Sequence, residues 1–246
     1  MTFSDAILRV HAASLSIHRD CEEDLVHEAL TTVSSVFDAD SWFHITFVPG
    51  RDATEYRVLT QRPQGWFLQY INNHWYLNDP VLRYCQFHAD TQIVSDLPAV
   101  TEGQRALRAA VRKQGFNDGF VTPARVPGSE RVGALCFCYE ASRVPPRDLV
   151  LKLGPALSAT AQRVLSWELA CARRELLRES RLNRRELELL RFESEGYTTK
   201  EIAALNGGAI NAINRSFASA IAKLHASNRA QAARIACESG LIQSGV

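Results

Sequence analysis

Apolar residues recur with helical spacing over residues 4–17 and 22–37, and in the second stretch Leu25, Ala29, Val33 and Val36 share one face. The period then shortens. Ser41–Val48 reads as a strand, Pro49–Asp52 as a turn, and Tyr56–Thr60 as the hairpin partner. Pro63 is placed to open a helix at its first turn, and that helix carries Trp66, Tyr70, Ile71 and His74. Asp79-Pro80 caps a further short helix with Val81, Leu82 and Cys85 inward. Gln104–Lys113 reads as a helix ended by Gly115. Two strands follow, Phe120–Val126 and Val132–Tyr139, around a Pro127-Gly128 turn. Pro145-Pro146 starts a long helix that runs past Trp167. Strands grouped between helices in this order predict an α+β fold, with an N-terminal α-β-α sandwich on an antiparallel sheet over residues 1–170.

Near Cys171 the pattern changes. Ala172–Arg181 is dense in charge, the signature of a solvated helix end, and residues 171–181 are expected to form a linker. Residues 182–246 then carry three short amphipathic helices and a closing fourth, an all-α unit of the helix-turn-helix kind. Lys200–Leu205 fits the supporting helix. Ala209–Leu224 fits the recognition helix, with Ile210, Ile213, Phe217, Ile221 and Leu224 inward. Its outward face holds Asn211, Asn214, Arg215 and Ser219. Asparagine pairs with adenine and arginine with guanine, although Arg215 on phosphate alone is an equal reading.

A formal net charge of +1 confines any nucleic-acid surface to a local patch. No apolar run approaches the roughly twenty residues of a membrane span, and the N-terminus lacks a basic start and an apolar signal core. The expected location is therefore the cytoplasm, with no membrane partner. The six cysteines are scattered, without a CxxC pair or a nearby histidine cluster. Buried reduced thiols are expected, and neither a metal nor a cofactor. Cys136 and Cys138 alternate with Leu135 and Phe137, so both point to one face of a strand. Cys136, His44 and Asp79 supply the residue types of a catalytic triad. No nucleophile elbow, phosphate loop or metal spacing accompanies them, so an enzyme is not expected.

Trp66-x-x-x-Tyr70 places two aromatics one helical turn apart, and Asp79 follows nine residues later. Taken singly, the aromatics read as core and Asp79 as a helix cap. Taken together with Pro63, Trp75 and Pro80, and with Gly115-x-x-x-Gly119 and Val132-Gly-Ala-Leu135, they resemble the autoinducer-binding domain of the LuxR family of bacterial transcription regulators. Glu186, Gly196, Thr199, Glu201, Ile202, Ala203, Lys223, Leu224, Asn228, Arg229 and Ala232 match the helix-turn-helix of the same family in order. The resemblance implies a quorum-sensing regulator that binds an acyl-homoserine lactone-like autoinducer and double-stranded DNA as a homodimer. It implies that Trp66 donates to the lactone carbonyl, Asp79 accepts from the ligand amide, Tyr70 bonds the acyl carbonyl, and Cys136 lies on the pocket strand. Arg184, Arg185, Lys200, Asn211, Asn214 and Arg215 are the DNA-contact candidates.

The sequence departs from that family in both of its domains. Thr91–Asp96 lacks the aromatic that packs on the lactone ring, which points to another acyl compound or to a different tail preference. The turn reads Asn206-Gly-Gly-Ala209, and Arg215 is the only basic residue between Ala204 and Ala222. Weaker DNA binding is expected, and the alternative is a LuxR-like protein that titrates signal or heterodimerises without reading DNA.

Overall fold

The computed structural model describes residues 1–49, 56–61, 65–126, 131–140, 142–206 and 208–242. The turns expected at Pro49–Asp52 and Pro127–Gly128, and the helix start expected at Pro63, lie wholly or partly outside these residues. Two compact units are present. One comprises Met1–Val126 with Arg131–Trp167, and the other begins at Glu168.

The first unit is built on a five-stranded antiparallel sheet in the order β2-β1-β5-β4-β3. The strands are β1 (Ser41–Phe47), β2 (Arg57–Thr60), β3 (Gln92–Ile93), β4 (Phe116–Arg125) and β5 (Val132–Glu140). Helices α1 (Phe3–Ser16) and α2 (Glu23–Val36) cover one face. There the Trp42 indole donates to Thr31 Oγ1 at 3.2 Å, Phe37 meets Phe120 at 5.0 Å between ring centroids, and the Tyr139 hydroxyl donates to the Phe37 carbonyl at 2.7 Å. Helices α3 (Gly65–Asn72), α4 (Pro80–Phe87) and α5 (Glu102–Lys113) lie against the other face, where Ile45, Phe47, Val121, Ala134 and Cys136 form the buried floor.

Several boundaries differ from the sequence pattern for identifiable reasons. Strand β4 begins at Phe116 rather than Phe120. Gly115 takes φ +91°, which ends α5 and turns the chain directly into the sheet. His74, expected in the helix of Trp66, stands outside it in the left-handed region at φ 52°. The helix expected from Pro146 is two helices, α6 (Arg147–Lys152) and α7 (Gly154–Ser180). Pro155 has no N–H to bond back across the junction, so the ladder breaks there. Residues 171–180, expected to be linker, are helical within α7, and Arg181 at φ 51° ends that helix. Leu153, Val164 and Trp167 are buried within the first unit, and the Trp167 indole donates to the Cys21 carbonyl at 2.9 Å. These three apolar residues of α7 and the segment before it are therefore used in the unit's own core.

Gly119 has no room for a side chain, because a Cβ there would lie 2.6 Å from the Phe137 carbonyl oxygen. Gly133 is similar, 2.8 Å from the His44 ring.

The second unit contains α8 (Arg184–Ser194), α9 (Thr199–Asn206), α10 (Ile210–Lys223) and α11 (Arg229–Glu238). Leu189, Phe192, Ile202, Ile213 and Phe217 form one core cluster, and Leu190, Ala220, Leu224, Ala232 and Ala236 belong to another. At the centre lies Glu186. It closes a capping box with Asn183, accepts from Ser219 Oγ at 2.6 Å and from Lys223 Nζ at 2.8 Å, and is 2 % exposed. Ser219, expected on the outward face, is thus turned inward. Ile210, expected inward, is 44 % exposed because the helix only begins there.

Burial works to raise the Glu186 pKa, but hydrogen bonds from Lys223, Ser219 and Asn183 outweigh it and hold the carboxyl below its ordinary 4.5. The stabilisation is present above that value and fades as pH falls through the lowered folded pKa. Glu186→Gln, which loses the charge-assisted bonds, should cost on the order of 2–3 kcal/mol at neutral pH. The cost should shrink in acid, as read by urea unfolding followed by circular dichroism.

Candidate functional site

Between the sheet and helices α3–α5 lies a cavity of about 200 Å³. Trp66, Tyr70, Asp79 and Cys136, singled out from sequence, all line it. Each arrives by a different route. Trp66 and Tyr70 sit one turn apart on α3, their rings 6.5 Å apart between centroids. Cys136 faces inward from β5, paired with Phe43 of β1. Asp79 is the N-cap of α4, where Oδ1 accepts the Val81 N–H at 2.7 Å. Its other oxygen, Oδ2, accepts the Tyr70 hydroxyl at 2.7 Å. The packing role and the pocket role of Asp79 therefore coexist on its two oxygens.

The electrostatics follow from this enclosure. Desolvation raises the Asp79 pKa above 3.8, against the opposing pull of its bonds from Tyr70, Val81 and Leu82. Tyr70 is pushed well above 10, by burial first and by the Asp79 charge second. Burial likewise pushes the Cys136 thiol up, so it stays protonated and inert as a nucleophile. His44 pairs in register with Leu135, and Cys136 with Phe43. His44 and Cys136 thus lie on opposite faces of the sheet and do not meet.

Sequence reasoning missed much of the wall. Phe43, Ile45 and Phe67 add apolar surface. Val94 and Ser95 line the cavity from the stretch without an aromatic. Arg108 and Arg112 reach it from α5, and Asn117 and Asp118 from the start of β4. The signal for the arginines was present in the 3.6-residue period of α5, where Gln104, Leu107, Arg108 and Val111 share a face, but nothing in the sequence said which layer that face meets.

In the second unit, Arg184 and Arg185 are exposed in the first turn of α8, Lys200 in the first turn of α9, and Asn211, Asn214 and Arg215 along α10. The three α10 residues fall on one side at i, i+3 and i+4. The Arg185 guanidinium stands 3.6 Å from where a Cβ would project at Gly208, beside the turn that leads into α10. Helix α10 starts on Ala209 without a side-chain cap, whereas α8 and α11 are capped by Asn183 and Asn228. Lys223 and Arg229 are engaged internally, Lys223 with Glu186 and Arg229 with Glu193 at 3.0 Å.

Two outcomes test the pocket. Tyr70→Phe should cost about 1–3 kcal/mol by removing the donor to a desolvated carboxyl, read by thermal or urea unfolding. Because the Asp79 pKa is raised on folding, its contribution is fully present below 3.8 and is lost as pH rises through the folded value. Asp79→Asn should therefore flatten the decline of stability over that rise, and an unchanged pH profile would refute the assignment.

Residues 22–166 match the autoinducer binding domain family. The transcriptional activator protein AnoR of Acinetobacter nosocomialis is 23 % identical over 191 residues, covering 75 % of this chain and 78 % of AnoR. The crystal structure of Escherichia coli SdiA superposes with a TM-score of 0.70 at 22 % identity, over 98 % of this chain and 97 % of SdiA. SdiA in complex with octanoyl-rac-glycerol gives 0.69 at 21 % identity, over the whole of both chains. CepR2 of Burkholderia cenocepacia, an N-acylhomoserine lactone dependent LuxR family transcription factor, gives 0.54 at 8 % identity over 67 % of this chain and 95 % of CepR2. These likenesses establish a shared fold, and the match over residues 22–166 carries the family: the chain belongs to the autoinducer-binding LuxR-type quorum-sensing regulators.

Proposed function

We propose that the protein is a ligand-responsive, DNA-binding transcription regulator that senses an acyl-homoserine lactone or a related acyl amide. The observation that carries this reading is the convergence of Trp66, Tyr70, Asp79 and Cys136 on one cavity with an apolar floor. A small amide in a dry pocket needs a partner for each polar atom and an apolar wall for its tail. The Tyr70–Asp79 bond supplies an exchange mechanism. A ligand amide N–H takes the place of the Tyr70 hydroxyl on Asp79, and the freed O–H turns to the acyl carbonyl. The indole N–H of Trp66 has no hydrogen-bond acceptor among the described residues and serves as the donor to a head-group carbonyl.

In this reading residues 182–246 form a helix-turn-helix reading head joined through residues 171–181 to the ligand domain. Arg184, Arg185 and Lys200 hold phosphate while Asn211, Asn214 and Arg215 meet base edges. Two heads of a homodimer would occupy half-sites about 34–36 Å apart. Exposed apolar residues on α1, Phe3, Ile7, Leu8 and Leu15, are among those available for such a contact.

One observation favours a second reading, a LuxR-like protein that titrates signal or heterodimerises without reading DNA. Helix α10 begins uncapped, and Arg215 is the only cation on its outward face. Loss of a cap costs on the order of 1 kcal/mol, and backbone phosphate contacts dominate affinity.

Selection from a random DNA pool, with and without an acyl-homoserine lactone of eight-carbon tail, separates the two. The regulator reading expects ligand-dependent enrichment of a palindrome. Arg215→Ala should then cost about 1–3 kcal/mol and relax one base position, or weaken all sequences alike if it meets only phosphate. No enrichment by a folded protein that still binds the lactone would establish the titrating alternative.

A further inference from the structure

The cavity holds two cations that the acyl-lactone chemistry does not use. Arg108 and Arg112 stand one turn apart on α5 and both border it, Arg108 half-buried and Arg112 exposed to solvent. Arg108 Nη2 donates to the Leu97 carbonyl at 2.6 Å, a neutral acceptor that fixes the guanidinium without cancelling its charge. Among the described residues neither arginine has a carboxylate partner, unlike Arg143, Arg147, Arg191 and Arg229 of the same chain. Of the two acids in the same wall, Asp79 accepts from Tyr70 and Val81, and Asp118 Oδ1 accepts the Ser95 N–H at 3.0 Å and the Gly119 N–H at 2.7 Å.

Position along α5 says which end of a ligand these cations meet. The start of α5 lies against the residue before Asp79, since a Cβ on Gly103 would be 3.2 Å from Asn78 Cγ. Arg108 follows about 7–8 Å further along the helix axis, within a side chain's reach of the Asp79 end, and Arg112 one turn beyond. A group bonded to an amide held on Asp79 therefore meets Arg108 first. A guanidinium in a pocket of mostly apolar lining favours a planar anion with two acceptor oxygens over a neutral ring ester.

We propose that the preferred ligand is an acyl amide with a free carboxylate on its head group, an N-acyl amino acid of the ring-opened acyl-homoserine type. Asp79 accepts the amide N–H, and Arg108, backed by Arg112, binds the carboxylate. This rests on the proposed amide-binding role of Asp79.

The test is calorimetric titration of the full chain at pH 7 with N-octanoyl-homoserine and with its lactone. The carboxylate form should bind roughly tenfold more tightly, the scale of one charge-assisted pair. Arg108→Gln and Arg112→Gln should each reduce that preference, and the double variant should abolish it. Arg105→Gln, on the same helix but off the cavity wall, should leave the preference intact. A lactone that binds as tightly as the open acid or more so overturns the carboxylate proposal and leaves the acyl-amide reading standing. A preference for the acid that survives the double variant overturns the role of the arginines. Binding of neither compound by a protein that is folded by circular dichroism overturns both readings.

Discussion

The two oxygens of Asp79 hold together what the first unit needs in order to have a pocket at all. One fixes the first turn of α4 by capping it, and the other fixes Tyr70 on α3. Two short helices that share little regular contact are thereby tied at one polar point above an apolar sheet. A carboxylate with two good donors tolerates such enclosure, whereas an unpartnered one would not. The raised pKa of the group is the residue of that cost.

The rest of the first unit serves this point from a distance. The sheet offers a flat apolar floor because residues alternate between faces. Trp42, His44 and Thr46 go to the α1–α2 side, and Phe43, Ile45 and Phe47 to the cavity side. Gly119 and Gly133 let strands and rings approach where a methyl group would collide. The opposite face is closed by large aromatics and by the α7 residues Leu157, Val164 and Trp167. Cavity and core are thus two sides of one sheet, and the rigidity of one supports the shape of the other.

The second unit is organised by the same kind of device. Glu186 links the start of α8 to the end of α10 through Ser219 and Lys223, so a single buried carboxylate sets the register of two helices. The tie consumes a lysine that would otherwise face solvent. It leaves Arg215 as the cation on the outward face of α10, and the Arg229–Glu193 pair engages a cation of α11 in the same way. Internal order and external electrostatics are in this way drawn from the same small set of cations.

The periodicity of the chain by itself determined that there would be an α+β unit followed by helices, and the spacing of Trp66, Tyr70 and Asp79 alone reads as core and a helix cap, the shared pocket being what the family resemblance implied. Those are local facts, fixed by which residues share a turn or a strand face. Other features depend on partners distant in sequence and were settled only in three dimensions. The two-residue strand β3 exists only because Val121 and Phe120 lie beside it. Ser219 turns inward to donate to Glu186, thirty-three residues earlier, on the same oxygen that Lys223 reaches. Arg108 and Arg112 carry no signal of a layer in the sequence beyond their place on a helix. Only the packing of α5 over the sheet brings them to the cavity, because a helix period names a face but never the layer which that face will meet.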